Sequence, residues 1–152
     1  MRARKTLALC LITTSAVLAS AGCATAPTKE KVSTPNAPAA IGPYSQAIKV
    51  GNTLFLSGQI PLDPKTGQIN AGSIEEQTAQ VLDNLKAVLA ANNMDMGNVV
   101  STTVYMKDLA DFPKMNTVYG GYFDANPPAR ATVQVARLPK DASIEISAIA
   151  VK

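Results

Sequence analysis

Arg130 and Glu145 are the two side chains whose types and places in the chain could do chemistry together. Arg130 opens a β-branched run directly after Asn126-Pro127-Pro128-Ala129, and Glu145 interrupts the apolar alternation of Ile144, Ile146 and Ala148. A guanidinium is a planar fork that binds a carboxylate bidentately, and a glutamate within an apolar strand is a candidate base. Together they would make a carboxylate receptor with a proton acceptor at hand. The same residues also read as solvated charges on a sheet face, or as an ion pair with each other. Tyr44 lies in the turn-forming run Ile41-Gly42-Pro43-Tyr44-Ser45-Gln46, and Ser57-Gly58 ends a strand. Gly58 allows a ligand close to the backbone, and the Ser57 hydroxyl with nearby N–H groups could hold an anion, although Ser-Gly at a strand end equally makes a plain turn and a buried Tyr44 a core residue. The chain has no histidine, and its two cysteines are Cys10 and Cys23, both ahead of the domain. Imidazole acid–base chemistry, His-ligated metals and Ser-His or Cys-His nucleophiles are therefore excluded.

The elements that must position these residues follow from periodicity. Ala47–Val50 and Thr53–Ser57 read as strands joined by the two-residue turn Gly51-Asn52. Ser73 with Glu76 forms a capping-box pattern, and Val81, Leu82, Leu85, Val88 and Leu89 repeat at helical spacing until Asn92-Asn93 and Gly97 close the helix. Val99–Met106 is rich in β-branched residues and fits a strand. Asp111 is expected to cap a second helix with the apolar face Phe112, Met115, Tyr119, Tyr122 and Phe123, ending or bending at Gly120-Gly121. Residues 131–135 and 144–151 are two further strands. Alternation puts Arg130, Thr132 and Gln134 on one face of the first, with Val133 and Val135 on the other. The order ββ-α-β-α-ββ predicts a two-layer α+β domain, helices packed on a sheet.

At 152 residues, 47% hydrophobic and 16% charged, the chain suits one domain with a full core. Fourteen Lys and Arg stand against eleven Asp and Glu, but Arg2, Arg4 and Lys5 lie in an acid-free N-terminal stretch. The remainder is formally neutral, which argues against a phosphate-neutralising nucleic-acid surface. Those three cations, the apolar run 7–18 and Ala19-Ser20-Ala21-Gly22-Cys23 read as a signal peptide over residues 1–22, too short to span a membrane. Cys23 after Ala21-Gly22 resembles a bacterial lipobox, with Ser20 where a branched residue is usual. Lipidated, the protein is expected on the periplasmic side of a bacterial membrane; Ala24 resembles the outer-membrane sorting pattern. Plain cleavage after Ala21 would instead leave a soluble periplasmic protein with a free thiol. Residues 23–40, with Pro27, Pro35 and Pro38, read as a tether, and the domain is expected over 41–152.

Four stretches are familiar as a set: residues 36–46, Ser57-Gly58-Gln59-Ile60-Pro61, residues 102–109, and residues 128–139 followed by Ile144-Glu145-Ile146. In this order and spacing the chain from about Asn36 to Lys152 closely resembles the Rid family, the reactive intermediate deaminases also called the YjgF family, and within it the RidA-like subgroup. The resemblance implies a chorismate-mutase-like fold, a mixed sheet with two helices. It also implies a homotrimer with ligand clefts between subunits and a cofactor-free, metal-free hydrolysis of enamines and imines such as 2-iminopropanoate and 2-iminobutanoate. The products would be 2-keto acids and ammonia.

Carried over residue by residue, the resemblance gives Arg130 the substrate carboxylate and Glu145 the attacking water. Thr132 stands where the family often has cysteine and would lend its backbone carbonyl to that water. Tyr44, Ser57, Gly58 and Asn116 would line the pocket. Gly120-Gly121 and the short segment 124–127 depart from the family pattern beside the cleft, which bears on substrate range. Two other functions follow from the same resemblance: an exported protein that binds small ligands without turnover or acts as a holdase, and an endoribonuclease or translation inhibitor. The neutral body, the missing histidine and the export signal count against the latter. The expected partners are small 2-imino and 2-keto acids, two further copies of the chain and a membrane through the lipid anchor alone.

Overall fold

Alternation along the strands decides which side of the sheet is filled. A computed structural model describes Ala26, residues 28–123 and residues 125–152; the expected signal peptide and Cys23 lie outside the described residues. In chain order the elements are β1 (Lys29–Val32), β2 (Ala47–Val50), β3 (Thr53–Gln59), α1 (Ile74–Ala90), β4 (Val99–Met106), α2 (Phe112–Gly120), β5 (Ala129–Gln134) and β6 (Ile144–Val151). The six strands form one sheet in the order β1-β2-β3-β6-β4-β5. Neighbours are antiparallel except β4 and β5, which run parallel because α2 carries the chain back between them.

Both helices lie on the same face. Leu54 and Leu56 of β3, Val104 and Met106 of β4, and Ile144 and Ile146 of β6 pack against Val81, Leu82, Leu85, Val88 and Leu89 of α1 and Met115 and Tyr119 of α2. Truncating a fully buried leucine here, such as Leu82, would cost about 2–5 kcal/mol. The alternate residues point away from the helices onto a face where Tyr105 packs with Ile60, Leu62, Leu138 and Ala142, and where the part around Phe55, Ile149 and Val133 is left open among the described residues. Phe55, 46% exposed, pairs with Ile149, and Val133 is 43% exposed. This is the layer of two helices on a sheet that the element order predicts, and the mixed sheet is the one the family resemblance implies.

Local signals explain most boundaries. Gly51 supplies the positive φ (57°) of the β2–β3 hairpin. The capping box of α1 is complete: Glu76 N–H donates to Ser73 Oγ at 3.3 Å, and Ser73 N–H donates to Glu76 Oε2 at 2.7 Å. Helix α2 stops at Gly120, with Gly121 as its C-cap, where a run of low helix propensity ends it.

Two expectations need correction. Part of the expected tether belongs to the sheet: Lys29–Val32 pairs residue by residue with Val50–Ala47, and Ala37 is buried in the core. An edge strand held by backbone pairing with one side open has no reason to alternate, so Lys-Glu-Lys-Val carried no strand pattern. Asp111, expected to cap α2, makes no side-chain cap hydrogen bond. Asp108 does the capping, accepting Ala110 N–H at 2.8 Å at the start of a one-turn 3-10 segment that runs into α2.

Candidate active site

The cleft around Glu145 is made by an irregularity in β3. Leu56 pairs with Ala148 and Gln59 with Ile146, so β3 spends one residue more than β6 and bulges at Ser57-Gly58. The Glu145 side chain, on the face away from the helices, lies against the bulge. A Cβ on Gly58 would collide with Glu145 Oε1 and stand 2.8 Å from its carboxyl carbon. The glycine at 58 therefore leaves the room that the Glu145 carboxyl occupies, and any side chain there would have to push that carboxyl aside. Ser57 Oγ donates to Ser45 O at 2.7 Å, and Ser57 N–H donates to Gln46 O at 3.0 Å, which ties the bulge to the segment carrying Tyr44. Tyr44, Ser57, Gly58 and Glu145 line one cavity of about 280 Å³, with Ile41, Ile60 and Leu62 among its apolar walls.

Glu145 is half-buried, and burial alone pushes its carboxyl above the ordinary glutamate value. Among the described residues it has neither ion pair nor hydrogen-bond donor. A carboxyl in that condition holds its proton more readily than usual and, once ionised, is a stronger base.

Arg130 sits on the other side of the sheet. It pairs with Thr102 in the β4–β5 register, and Thr102 faces the helices, its Oγ1 sharing a 2.7 Å hydrogen bond with Tyr119 Oη. The guanidinium lies over the Tyr119 ring, 4.4 Å from its centroid, and near Phe112 at 5.6 Å. Arg130 Nη2 donates to Asn116 Oδ1 at 2.7 Å. Burial raises the Tyr119 phenol pKa, while Thr102 and the Arg130 charge pull it back down, so the ring stays neutral beneath the cation. Thr132, two residues along the same face, has a buried Oγ1 without a hydrogen-bond partner.

The sequence-predicted residues thus fall into two groups. Tyr44, Ser57, Gly58 and Glu145 share the cleft; Arg130, Asn116 and Thr132 share the helix-side edge of β5. The two groups lie on opposite faces of the sheet in a single chain, and Arg130 and Glu145 do not pair. The arginine that does share a groove with Glu145 is Arg137, together with Tyr105 and Ser147. Sequence reasoning gave no role to Arg137, nor to the rings of Phe112 and Tyr119 beneath Arg130. Stacking between a strand and a helix joins residues with no spacing signal between them. Among the described residues no group of three or more His, Cys, Asp or Glu side chains could hold a metal ion.

The family model described as endoribonuclease L-PSP matches residues 34–152. A RutC family protein of Pyrococcus horikoshii is 59% identical over 124 residues, covering 82% of this chain and 98% of the relative. The 2-iminobutanoate/2-iminopropanoate deaminase of Escherichia coli K12 is 51% identical over 124 residues, covering 80% of this chain and 96% of the relative. Among solved structures, E. coli TdcF with bound serine superposes with a TM-score of 0.78 at 44% identity, over 81% of this chain and 98% of that one.

Proposed function

The chain belongs to the endoribonuclease L-PSP family, which takes in the RutC and Rid proteins, and from that premise we propose that it hydrolyses 2-imino acids to 2-keto acids and ammonium. The observation that carries this reading is the cleft at the β3 bulge, where an unpaired, base-strengthened carboxyl faces a cavity of amino-acid size. A protonated imine is already a good electrophile. The protein need only hold the carboxylate, place a water at the imine carbon and take one proton from it. Water adds as Glu145 takes one of its protons and passes it to the nitrogen; the C–N bond of the resulting carbinolamine breaks as its hydroxyl becomes the carbonyl, and the ammonia released picks up the hydroxyl proton to give ammonium. Hydrolysis of this kind needs no cofactor.

The substrate carboxylate calls for Arg130, whose fork is held at the right orientation by Asn116 and Tyr119. Since Arg130 and Glu145 face opposite sides of the sheet, one active site takes Glu145 from one copy of the chain and Arg130 from another. The uncovered apolar face with Phe55, Val133 and Ile149 gives such copies a surface to bury. A closed ring of three copies meets both demands, since each copy then offers a cleft to one neighbour and an arginine to the other. The serine bound in the E. coli relative is an amino acid with the same carboxylate head as the proposed substrate.

The test is ammonia release from freshly generated 2-iminobutanoate, with size measured by light scattering. Acceleration over buffer by an oligomeric protein supports the reading. A protein that binds 2-oxobutanoate without accelerating ammonia release would be a binder, and the deaminase assignment would fall. Export is proposed on the residues of the N-terminus alone. Mass spectrometry of the mature protein tests it: an acylated Cys23 supports the anchor, and an unmodified start at Gly22 removes it.

A further inference from the structure

We propose that Gln46 is a positioning residue that sets the outer wall of the cleft by clamping the loop whose tip carries Ile41 and Tyr44. The proposal rests on the deaminase reading only for its kinetic arm. Backbone pairing between β1 and β2 ends at Val32 with Ala47. Beyond it the chain leaves the sheet, and its peptide groups need new partners. The Gln46 carboxamide supplies them. Its Oε1 accepts Thr34 N–H at 2.6 Å and its Nε2 donates to Thr34 O at 3.0 Å, the two-way exchange that a neighbouring strand would have made. Nε2 also meets Ala37 O at 3.3 Å and Pro38 O at 2.8 Å, so both of its hydrogens are fully engaged.

The Pro38 contact closes a loop across eight residues of sequence separation. Ile41 and Tyr44 at its tip are 56% and 44% exposed. Their own hydrogen bonds, Tyr44 N–H to Gly42 O at 2.8 Å and Ile41 N–H to Tyr44 Oη at 3.4 Å, stay within the tip and tie it to nothing else. On the C-terminal side Ser57 Oγ holds Ser45 O. On the N-terminal side the ties are Gln46 and the burial of Ala37. Without the carboxamide the N-terminal side falls back on the burial of Ala37 and the Val32–Ala47 pair. Loop entropy grows slowly with length, so the domain survives while the tip is released. Gln46 itself is 4% exposed and stands in the wall of the same cavity, but its carboxamide oxygen and both amide hydrogens are taken up by Thr34, Ala37 and Pro38, so its part is to hold the loop.

The experiment uses the full chain labelled with 3-fluorotyrosine. There are four tyrosines, and the Tyr44 fluorine signal is assigned by its loss in Tyr44→Phe. In Gln46→Leu, which keeps the bulk, the Tyr44 signal should move to the unfolded-chain position while those of Tyr119 and Tyr122 stay in place. Gln46→Glu should show the same displacement at neutral pH and return toward the wild-type position on acidification. A neutral carboxyl again accepts from Thr34 N–H and donates to one carbonyl, and wild type at each pH is the reference. In the kinetic arm, KM for 2-iminobutanoate should rise about tenfold with kcat within about threefold, as expected when a binding wall rather than the chemistry is lost. An unmoved Tyr44 signal in Gln46→Leu overturns the proposal, whether or not the protein turns over imines. So does the joint collapse of all four signals in both variants, because Gln46 would then be supporting the core. A wild type without imine turnover would remove the deaminase reading and leave the fluorine spectra to judge Gln46.

Discussion

The Glu145 cleft and the Arg130 edge are built by opposite means. Arg130 is held by what touches it: an amide oxygen at 2.7 Å and two aromatic rings keep the guanidinium in place without a ligand. Glu145 is held by what is missing, a side chain at Gly58 and a cation of its own. The comparison teaches that the two groups are preorganised separately, and on the proposed function neither is complete alone. On the proposed function, the cation with an unpartnered Thr132 hydroxyl beside it and the carboxyl in its cleft are complementary half-sites. One sheet keeps them apart within the chain.

The largest effect expected is at Arg130. Arg130→Ala should lower kcat/KM for 2-iminobutanoate by about a thousandfold or more with an unchanged circular dichroism spectrum, since a bidentate charged contact to the reacting molecule is lost. Arg137→Ala, which removes the guanidinium that shares a groove with Glu145 in the same chain, should change it by less than about threefold. A reversal of that ranking would put the whole site in one subunit and break the comparison.

Glu145→Gln comes next, with a loss of about a hundredfold in kcat. The wild-type rate should fall as pH drops through the raised Glu145 pKa, because only the ionised carboxyl accepts a proton from water. The glutamine variant should lack that acid limb. Stability runs the other way. A carboxyl with a folded pKa above its unfolded value destabilises the fold at pH values where it is ionised, so Glu145→Gln should raise Tm near neutrality. The gain should vanish below about pH 4, where the glutamate is neutral in both states. A Tm gain that persists in acid would mean that burial of charge is not what perturbs this residue.

Gly58→Ala tests the cleft's geometry with the smallest possible addition. It should displace the Glu145 carboxyl and cost about tenfold in kcat. Full activity would show that the carboxyl has freedom the packing denies it. Thr132→Val is expected to do least. It keeps the backbone carbonyl and removes a buried hydroxyl without a partner, so turnover should stay within about threefold while unfolding in urea shows a gain of about 1 kcal/mol. A large loss of rate would assign the hydroxyl, rather than the carbonyl, to the reaction.

Much of this was legible in the sequence because the relevant signals are local. The capping box at Ser73, the alternation along residues 144–151 and the glycine pair that ends α2 each reflect forces acting over a few residues, and the structure has each where the local pattern puts it. The site residues could be named, and their division into two groups could not. Arg130 and Glu145 lie on strands that both flank β4, and which face each presents depends on the parallel β4–β5 and antiparallel β4–β6 registers. Those registers are long-range facts. The strand at Lys29–Val32 and the clamp by Gln46 escaped for a related reason: backbone pairing at an edge and a buried amide leave no hydrophobic period to read.

The most direct test of the account mixes two inactive proteins. Arg130→Ala and Glu145→Gln chains carrying different tags are co-expressed, and assemblies containing both are isolated through the two tags in turn. In a three-membered ring any mixed assembly has one junction that joins an intact Arg130 to an intact Glu145, so the purified mixture should recover about a third of the wild-type rate of ammonia release. No recovery in assemblies shown to hold both chains would contradict a site shared between copies.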